Sequence, residues 1–462
     1  MDLVAMVAEL LDEHGTSGTA VGMVGGADGK RIVTAGSRGD GRGPVEDDTL
    51  FAAASLTKPV FAAGVMALVD GGTLELDRPL SMYLPEPYLA DDERAASITA
   101  RMALSHTTGF PNWREGPLYL RWPPGTRWGY SGEGFSYLQQ VVERLTGAPV
   151  AHYLSDAVLR PLGMADSTFV WPEPDEPRLA IGHNRDGEAR SPFRPSPAKA
   201  AAGGLFTTAP DYLRFLDHCL VHEQRMFEQQ ARIDEELAWG LGWGVEIGVG
   251  AVWQWGNDPG YKNFVIGRPA AGQGIVVFTN GDRGADVYAE VVRTLLPGAH
   301  PSLEAHHRSG WIWAMARRPV DLRPQLDSPG VRTLLEAAAG HGVEGEGDHA
   351  GEQYRRPGTW LLGVVTQGSF GETGVPVGTP IACVGLEPHH EREAKISALA
   401  VLPGWRRQGI ATSLIYGACQ QLGLRALEAE TDGDGVEFFR AIGFDVESQG
   451  GRRRCRFERS ED

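Results

Sequence analysis

Ser55 and Lys58 stand three residues apart in the segment FAAASLTKPV. The run that follows, PVFAAGVMALVDGG, has helical spacing, with Pro59 in the first turn and Gly71 and Gly72 beyond the end. Residues i and i+3 share a helix face, so this spacing brings the Lys58 amine within reach of the Ser55 hydroxyl. A serine alcohol is a poor nucleophile until a neighbouring base takes its proton, and a desolvated lysine can be that base. Backbone N–H groups at the helix start favour negative charge on a reacting oxygen. The pair predicts Ser-Lys acyl transfer. Taken alone it also fits a capping serine followed by a solvated lysine. Composition weighs against that, because five lysines stand against 38 arginines, and so does the sequence downstream.

A second set of chemical residues lies in ISALAVLPGWRRQGIATSLI. A strand is predicted to run to Val401, with Arg406, Arg407, Gln408, Gly409, Ile410 and Ala411 in the loop that opens the next helix. Backbone N–H groups at a helix start, made approachable by Gly409 and flanked by arginines, suit a pyrophosphate.

The elements that must position these residues fall into two groups. Residues 17–37 alternate apolar and turn residues and read as a β-hairpin with Asp28-Gly29 at its tip. A long helix- and loop-rich stretch follows to about residue 235. Strands are expected at AWGLGWGVEI, AVWQWG, KNFVIGRP and GIVVFTN, and the helix ADVYAEVVRTLL closes this part. An antiparallel sheet covered by helices (α+β) results, spanning residues 1–298. Residues 299–309 read as a linker. The remainder, 310–462, predicts a mixed α/β domain. Its elements are helix SPGVRTLLEAAAG, an acidic Gly-rich loop at 340–352, strands TWLLGVV, IACVGLE and KISALAV, helix ATSLIYGACQQLG, strand ALEAET and helix GVEFFRAIGF. The fold class is a multidomain α/β chain.

A length of 462 residues suits two or three domains, and a net charge of -17 argues against nucleic acid or an anionic membrane as partner. The N-terminal MDLVAMVAELLDEHG reads as an amphipathic acidic helix, without the basic and apolar regions of a signal peptide. No run approaches the roughly 18 apolar residues of a membrane span. Cys219, Cys383, Cys419 and Cys455 are far apart and read as buried reduced thiols. A cytoplasmic protein is expected.

In chain order, SLTK, GGTLELDRPL, LSHTTGFP, PPGTRWGYSGEGFSYL, LRPLGMADS and AAGGLFTTAPDYLRFL resemble the class C β-lactamase and D-alanyl-D-alanine peptidase family of penicillin-recognising serine enzymes. The resemblance implies a β-lactamase-like domain in which Ser55 is the nucleophile and Lys58 and Tyr130 move its proton. A phenol beside an ammonium group is expected to ionise readily and to serve as base. Two departures stand out. Gly132 replaces the asparagine that would bond a substrate acylamino group. The third motif aligns with Gln254, Trp255 and Gly256, so the usual positive charge is missing. Lys262 is near in sequence, although a solvated strand lysine is expected there. Backbone N–H groups of Ser55 and Asn257 would form the oxyanion hole. No G-x-S-x-G elbow is present. His106 reads as structural, and the pairs His306-His307 and His389-His390 read as loop residues without metal-ligand spacing.

RRQGIA after its strand, with FFRAIGF later, resembles the acetyl-CoA loop and closing motif of the GNAT N-acetyltransferases. This implies acetyl-CoA as cosubstrate, held by the loop from Val401 to Ala411, and an amine acceptor. Phe439 stands where many relatives have an acidic tyrosine, and Glu393 and Glu430 are candidate bases. The expectation is a bifunctional enzyme, an esterase or amidase of a small acyl substrate fused to an acetyltransferase. The alternatives are an acetyltransferase with a non-catalytic β-lactamase-like binding domain, or a true β-lactamase or D-Ala-D-Ala peptidase.

Overall fold

The computed structural model describes residues 2–462 apart from 26–28, 115–117, 119, 122, 172, 174–175, 191–195, 308–318, 340–350, 366–379, 404–405, 407–409, 432–433, 442–443, 450–451 and 459–462. The expected turn at Asp28 and the acidic loop therefore fall largely outside the described residues. The chain divides into two compact units, Met1–Leu303 and Glu304–Asp462.

In the first unit the strands are β1 (Gly18–Val24), β2 (Arg31–Gly36), β3 (Phe51–Ala52), β4 (Phe206–Thr207) and β5 (Ala231–Arg232). They continue with β6 (Leu237–Trp239), β7 (Gly244–Glu246), β8 (Ala251–Asp258), β9 (Tyr261–Arg268) and β10 (Gln273–Thr279). Eight of them form an antiparallel sheet in the order β2-β1-β10-β9-β8-β7-β6-β5, and β3 pairs with β4 apart. Ala20, Val24, Val252, Val265, Val276 and Phe278 join one core with helices Thr57–Asp70, Gly132–Thr146 and Ala209–His222. Helices Leu3–His14 and Gly284–Leu295 pack on β2, β9 and β10 without entering that core. The sheet is covered on both faces, so β1 is an almost unbroken run of small and apolar residues.

The N-terminal helix is capped as its sequence suggests. Asp2 accepts from the N–H groups of Val4 and Ala5 (3.0 and 3.3 Å), and Gly15 ends it in the left-handed region. Two other segments differ from the sequence reading. AWGLGWGVEI forms a hairpin, β6 and β7, because the chain turns at Gly242 (φ 83°) against Ala62 of helix Thr57–Asp70. A β-carbon at Gly242 would lie 2.5 Å from that of Ala62, so the close approach needs glycine. Within the expected linker, Pro301–His307 is helical, which moves His306 and His307 from a loop into a helix. Ser302 and Leu303 are buried, and Glu246 accepts from the Ser302 N–H and hydroxyl (3.0 and 2.6 Å).

The second unit has β11 (Val320–Asp321), β12 (Trp360–Val365), β13 (Pro380–His390), β14 (Glu393–Val401), β15 (Ala426–Thr431), β16 (Asp445–Gln449) and β17 (Arg452–Glu458). They form one mixed sheet in the order β11-β12-β13-β14-β15-β17-β16, with β14 and β15 parallel. Helices Ile410–Leu422 and Asp434–Ala441 share a core with one face, and helix Pro329–Ala339 with the other. His389 and His390 belong to β13 rather than to a loop. All four cysteines are buried and free. Among the described residues no helix is long and apolar enough to cross a membrane.

Candidate active site

Ser55 sits in a 3-10 turn, Ala54–Leu56, that leads directly into helix Thr57–Asp70. The preceding Ala54 has φ 50°, a left-handed conformation that costs a residue with a β-carbon on the order of 1–2 kcal/mol. Surrounding hydrogen bonds hold it there. Ala53 N–H donates to Leu205 O (2.9 Å), Thr57 Oγ1 to Ala54 O (2.6 Å), Tyr212 OH to Leu56 O (2.8 Å) and Asn263 Nδ2 to Ala52 O (2.9 Å). On the sheet side, a β-carbon at Gly256 would collide with the Ala53 carbonyl oxygen. The glycine lets β8 press against the Ser55 turn.

Lys58 Nζ donates to Ser55 Oγ (3.0 Å) and to Ala202 O (2.7 Å), and lies 4.9 Å from the centroid of the Tyr130 ring. The side chain is fully buried. Burial pushes its amine down to about 7, with the Asp258 carboxylate opposing the shift. A lysine with that value is half neutral at physiological pH and can accept a proton.

At Tyr130 burial works against the ready ionisation expected from the sequence. Its hydroxyl is buried, and burial drives its acidity well down; the Ser55 side chain only partly offsets this, and Asp258 adds to it. The Lys58 amine beside the ring, lowered to about 7, is only partly an ammonium near neutral pH. Burial thus favours the protonated phenol.

His106 accepts from the Ser131 N–H through Nδ1 (3.0 Å), and burial, then Lys58, push its imidazole well below the usual range. It is a neutral structural group, its ring 4.2 Å from that of Tyr130. Trp239 and Trp255 complete an aromatic surround, 5.8 and 5.9 Å from the Tyr130 ring. The sequence reading missed Trp239 and the Ala202 carbonyl, and took Trp255 only as the middle of a motif. Aromatic crowding around the tyrosine is a non-local feature, though the density of tryptophan in AWGLGWG and VWQWG hinted at it.

Gln254, Gly256 and Asn257 all lie on β8. Gln254 is 0% exposed, and its Oε1 accepts from the Trp255 N–H (3.1 Å). It is Trp255 that reaches Tyr130. Asn257 is half-buried beside the Gly256 contact. Lys262 is not a solvated lysine: Nζ lies 2.8 Å from Asp282 Oδ1 and donates to Asp258 O at 2.9 Å.

In the second unit, β14 pairs with β15 only from Glu393 to Ile396, although β14 continues to Val401. A bulge at Ser397 coincides with the parting. Before it, Ala394 and Ile396 face the core shared with helix Ile410–Leu422; after it, Ala398 and Ala400 face the core shared with helix Pro329–Ala339. After Val401 the next helix opens at Ile410 and Ala411. Arg406 Nε donates to Val401 O (2.9 Å), and Arg407, Gln408 and Gly409 lie outside the described residues. Both candidate bases are engaged elsewhere. Glu393 stands at the far end of β14 from Val401, about 26 Å away at 3.3 Å per residue, and is 3.3 Å from Arg456. Glu430 is 2.9 Å from Lys395. Phe439 is a core residue packed on Phe444 (5.0 Å).

Residues 3–296 match the Beta-lactamase family. The chain belongs to the beta-lactamase family. Residues 334–444 match the Acetyltransferase (GNAT) family, so a GNAT domain follows the β-lactamase-family domain. Esterase EstB of Burkholderia gladioli is 30% identical over 317 residues, covering 51% of this chain and 79% of the esterase. The D-alanyl-D-alanine-carboxypeptidase/endopeptidase AmpH of Escherichia coli (strain K12) is 28% identical over 195 residues, 37% of this chain and 49% of AmpH. The crystal structure of D-alanine carboxypeptidase AmpC from Burkholderia cenocepacia has a TM-score of 0.55 at 21% identity, over 62% of this chain and 95% of that one. The last comparison carries the fold alone.

Within this beta-lactamase-family domain, the Ser55–Lys58–Tyr130 cluster is assembled, while the positions expected to read a carboxylate and an acylamino group differ. Gln254 is uncharged and buried, Lys262 is paired with Asp282, and Gly132 has no side chain.

Proposed function

We propose that the chain is a bifunctional cytoplasmic enzyme: a Ser55-dependent esterase or amidase of small acyl substrates, joined to an acetyl-CoA-dependent N-acetyltransferase. The observation that carries the first half is the Lys58 amine, 3.0 Å from Ser55 Oγ and lowered by burial to about 7. Neutral Lys58 takes the Ser55 proton as Oγ attacks the substrate carbonyl carbon. The carbonyl oxygen becomes an oxyanion between the N–H groups of Ser55 and Asn257. As the tetrahedral species collapses, Tyr130 gives its proton to the leaving oxygen or nitrogen and is reprotonated by the Lys58 ammonium. Water then releases the acyl group by the same path in reverse.

Ester turnover rather than β-lactam turnover is supported by the loss of the two substrate-reading groups and by the likeness to an enzyme named an esterase. Four buried reduced thiols fit a reducing compartment. For the second half, support comes from β14, which among the described residues has no pairing to β15 after Ile396, and from the helix that starts at Ile410. These fit a ligand with a peptide-like arm and a diphosphate. Acetyl-CoA, when bound, supplies an activated acetyl thioester to an amine.

The test is intact-mass spectrometry after treatment with a fluorophosphonate. A single adduct mapping to Ser55 and absent from Ser55→Ala is expected. A folded protein that takes no adduct, or takes it elsewhere, defeats the hydrolase reading.

A further inference from the structure

Gly132 opens helix Gly132–Thr146, two residues after Tyr130, and the space a side chain would use there is occupied. A β-carbon at Gly132 would lie 2.5, 2.7 and 2.8 Å from three carbons of the six-membered ring of Trp113. Real β-carbons do not sit that close to other atoms, so a side chain at 132 and this position of the indole exclude one another. The two residues before Trp113 are tied to the helix start. Asn112 Oδ1 accepts from Gly132 N–H (2.9 Å), Asn112 O from Glu133 N–H (2.8 Å), and Pro111 O from the Ser131 hydroxyl (2.8 Å).

A second element meets the same indole. Lys199 Nζ stands 4.5 Å from the Trp113 ring centroid, within cation–π range. Lys199 ends the 3-10 turn Pro197–Lys199, which Gln139 of helix Gly132–Thr146 ties down. Its Nε2 donates to Pro197 O (2.9 Å), and its Oε1 accepts from Ala201 N–H (3.0 Å). The next residue, Ala202, accepts from Lys58. Trp113 and Lys199 are thus fixed to the helix start beside Tyr130 and to the segment that touches Lys58. Trp113 itself is only half-buried.

We propose that Trp113, seated on Gly132 and faced by Lys199, is the wall that limits the size of the acyl group accepted at Ser55. The substrate class is then short, unbranched acyl esters and amides. This rests on Ser55 being the acylated nucleophile, and it deepens that reading by assigning specificity to residues outside the Ser-Lys-Tyr set. A rigid aromatic plate with two rotatable bonds yields little to a longer chain. A misfit of one methylene in an apolar pocket is worth roughly 10- to 200-fold in kcat/KM.

The experiment measures kcat/KM of the full-length protein on p-nitrophenyl acetate, butyrate and octanoate, with fluorophosphonate labelling of Ser55 in parallel. Wild type is expected to fall steeply from acetate to octanoate. Trp113→Ala should raise the octanoate-to-acetate ratio of kcat/KM on the order of tenfold or more. Trp113→Leu, a milder truncation, should shift the profile in the same direction. Gly132→Ala alone should impair turnover of all three esters, and adding Trp113→Ala should restore it, a coupling that two independent defects do not produce. A Trp113→Ala or Trp113→Leu protein that labels at Ser55 yet keeps the wild-type chain-length profile overturns this inference and leaves the hydrolase reading standing. Purely additive effects of the two substitutions overturn it as well. If wild type does not label at Ser55, the hydrolase reading fails and this one goes with it.

Discussion

Lys58 donates a hydrogen bond to the Ala202 carbonyl oxygen 2.7 Å away. A neutral amine has two N–H bonds and one lone pair, so a fixed acceptor on one side restricts where the lone pair can point. In the neutral amine the contact to Ser55 Oγ, 3.0 Å from the same nitrogen, can reverse, so that the lone pair accepts the serine proton. The Ala202 carbonyl orients the base through backbone, and no side-chain motif announces it.

The first prediction concerns pH. The Lys58 amine is lowered to about 7, so the fraction able to accept a proton rises through neutrality. The kcat/KM for p-nitrophenyl acetate is expected to climb between pH 6 and 8 with an apparent pKa near 7. Lys58→Arg, always charged, should lose on the order of 100-fold or more at pH 7.5. A flat profile from pH 5.5 to 8.5 would count against Lys58 as base.

The same group makes a stability prediction of definite sign. Its folded pKa is about 7 against 10.5 unfolded, so between these values the unfolded chain binds more protons and stability rises with pH. Below pH 7 the fold carries a buried ammonium at full cost. Lys58→Met, which keeps the bulk and drops the charge, should stabilise the protein at pH 6 by roughly 1–3 kcal/mol, after allowing for the lost bond to Ala202. The gain should shrink as the pH approaches 10. Thermal denaturation of both proteins at pH 6 and 9 measures it, and a Met variant less stable at pH 6 than at pH 9, relative to wild type, contradicts the account.

Much of the fold was legible because it depends on local rules. The N-terminal helix, the Ser-x-x-Lys spacing and the helix that follows RRQG each follow from a few adjacent residues. What escaped was set by distant contacts. Gly242 looked like one more small residue in a strand, yet it turns the chain because Ala62 lies opposite. The hairpin of β16 and β17 lay beyond the last predicted helix, and the arginines of β17 are not a strand signal. Arg456 pairs with Glu428 at 2.6 Å and Arg454 with the same carboxylate, partners supplied by β15. The bulge at Ser397 reverses which residues of β14 face which core, and a period-two pattern does not reveal such a slip. At the site the spacing of Ser55 and Lys58 was readable, but the burial that opposes ionisation of Tyr130 was not, because burial is a property of the whole fold.

A proton-donating Tyr130 has a kinetic signature. A poor leaving group needs a proton as it departs, whereas p-nitrophenolate does not. Tyr130→Phe is expected to slow hydrolysis of an alkyl acetate by roughly 100- to 10,000-fold, with a much smaller loss on p-nitrophenyl acetate. Equal losses on both esters would indicate that the phenol acts before the leaving group departs, as a base in serine attack.

The last prediction concerns the GNAT domain. Its β14 ends at Val401, among the described residues pairs with β15 only as far as Ile396, and the next helix starts at Ile410. The N-terminus of that 13-residue helix presents N–H groups and a positive dipole end to whatever approaches. Gly409, immediately before it, is the residue whose missing side chain would let a diphosphate come close. Gly409→Asp adds both bulk and a negative charge at that point. Calorimetry on the full chain is expected to detect coenzyme A binding to wild type and to Ser55→Ala alike, and none to Gly409→Asp. Arg406→Ala should weaken binding more modestly, since its guanidinium is exposed, already donates to Val401 O, and would meet phosphate through contacts screened by salt. Folding of each variant is checked by circular dichroism. A folded wild type without affinity for coenzyme A or acetyl-CoA would remove the acetyl-transfer half of the proposed function, and a Gly409→Asp protein that binds as wild type would move the diphosphate away from this loop.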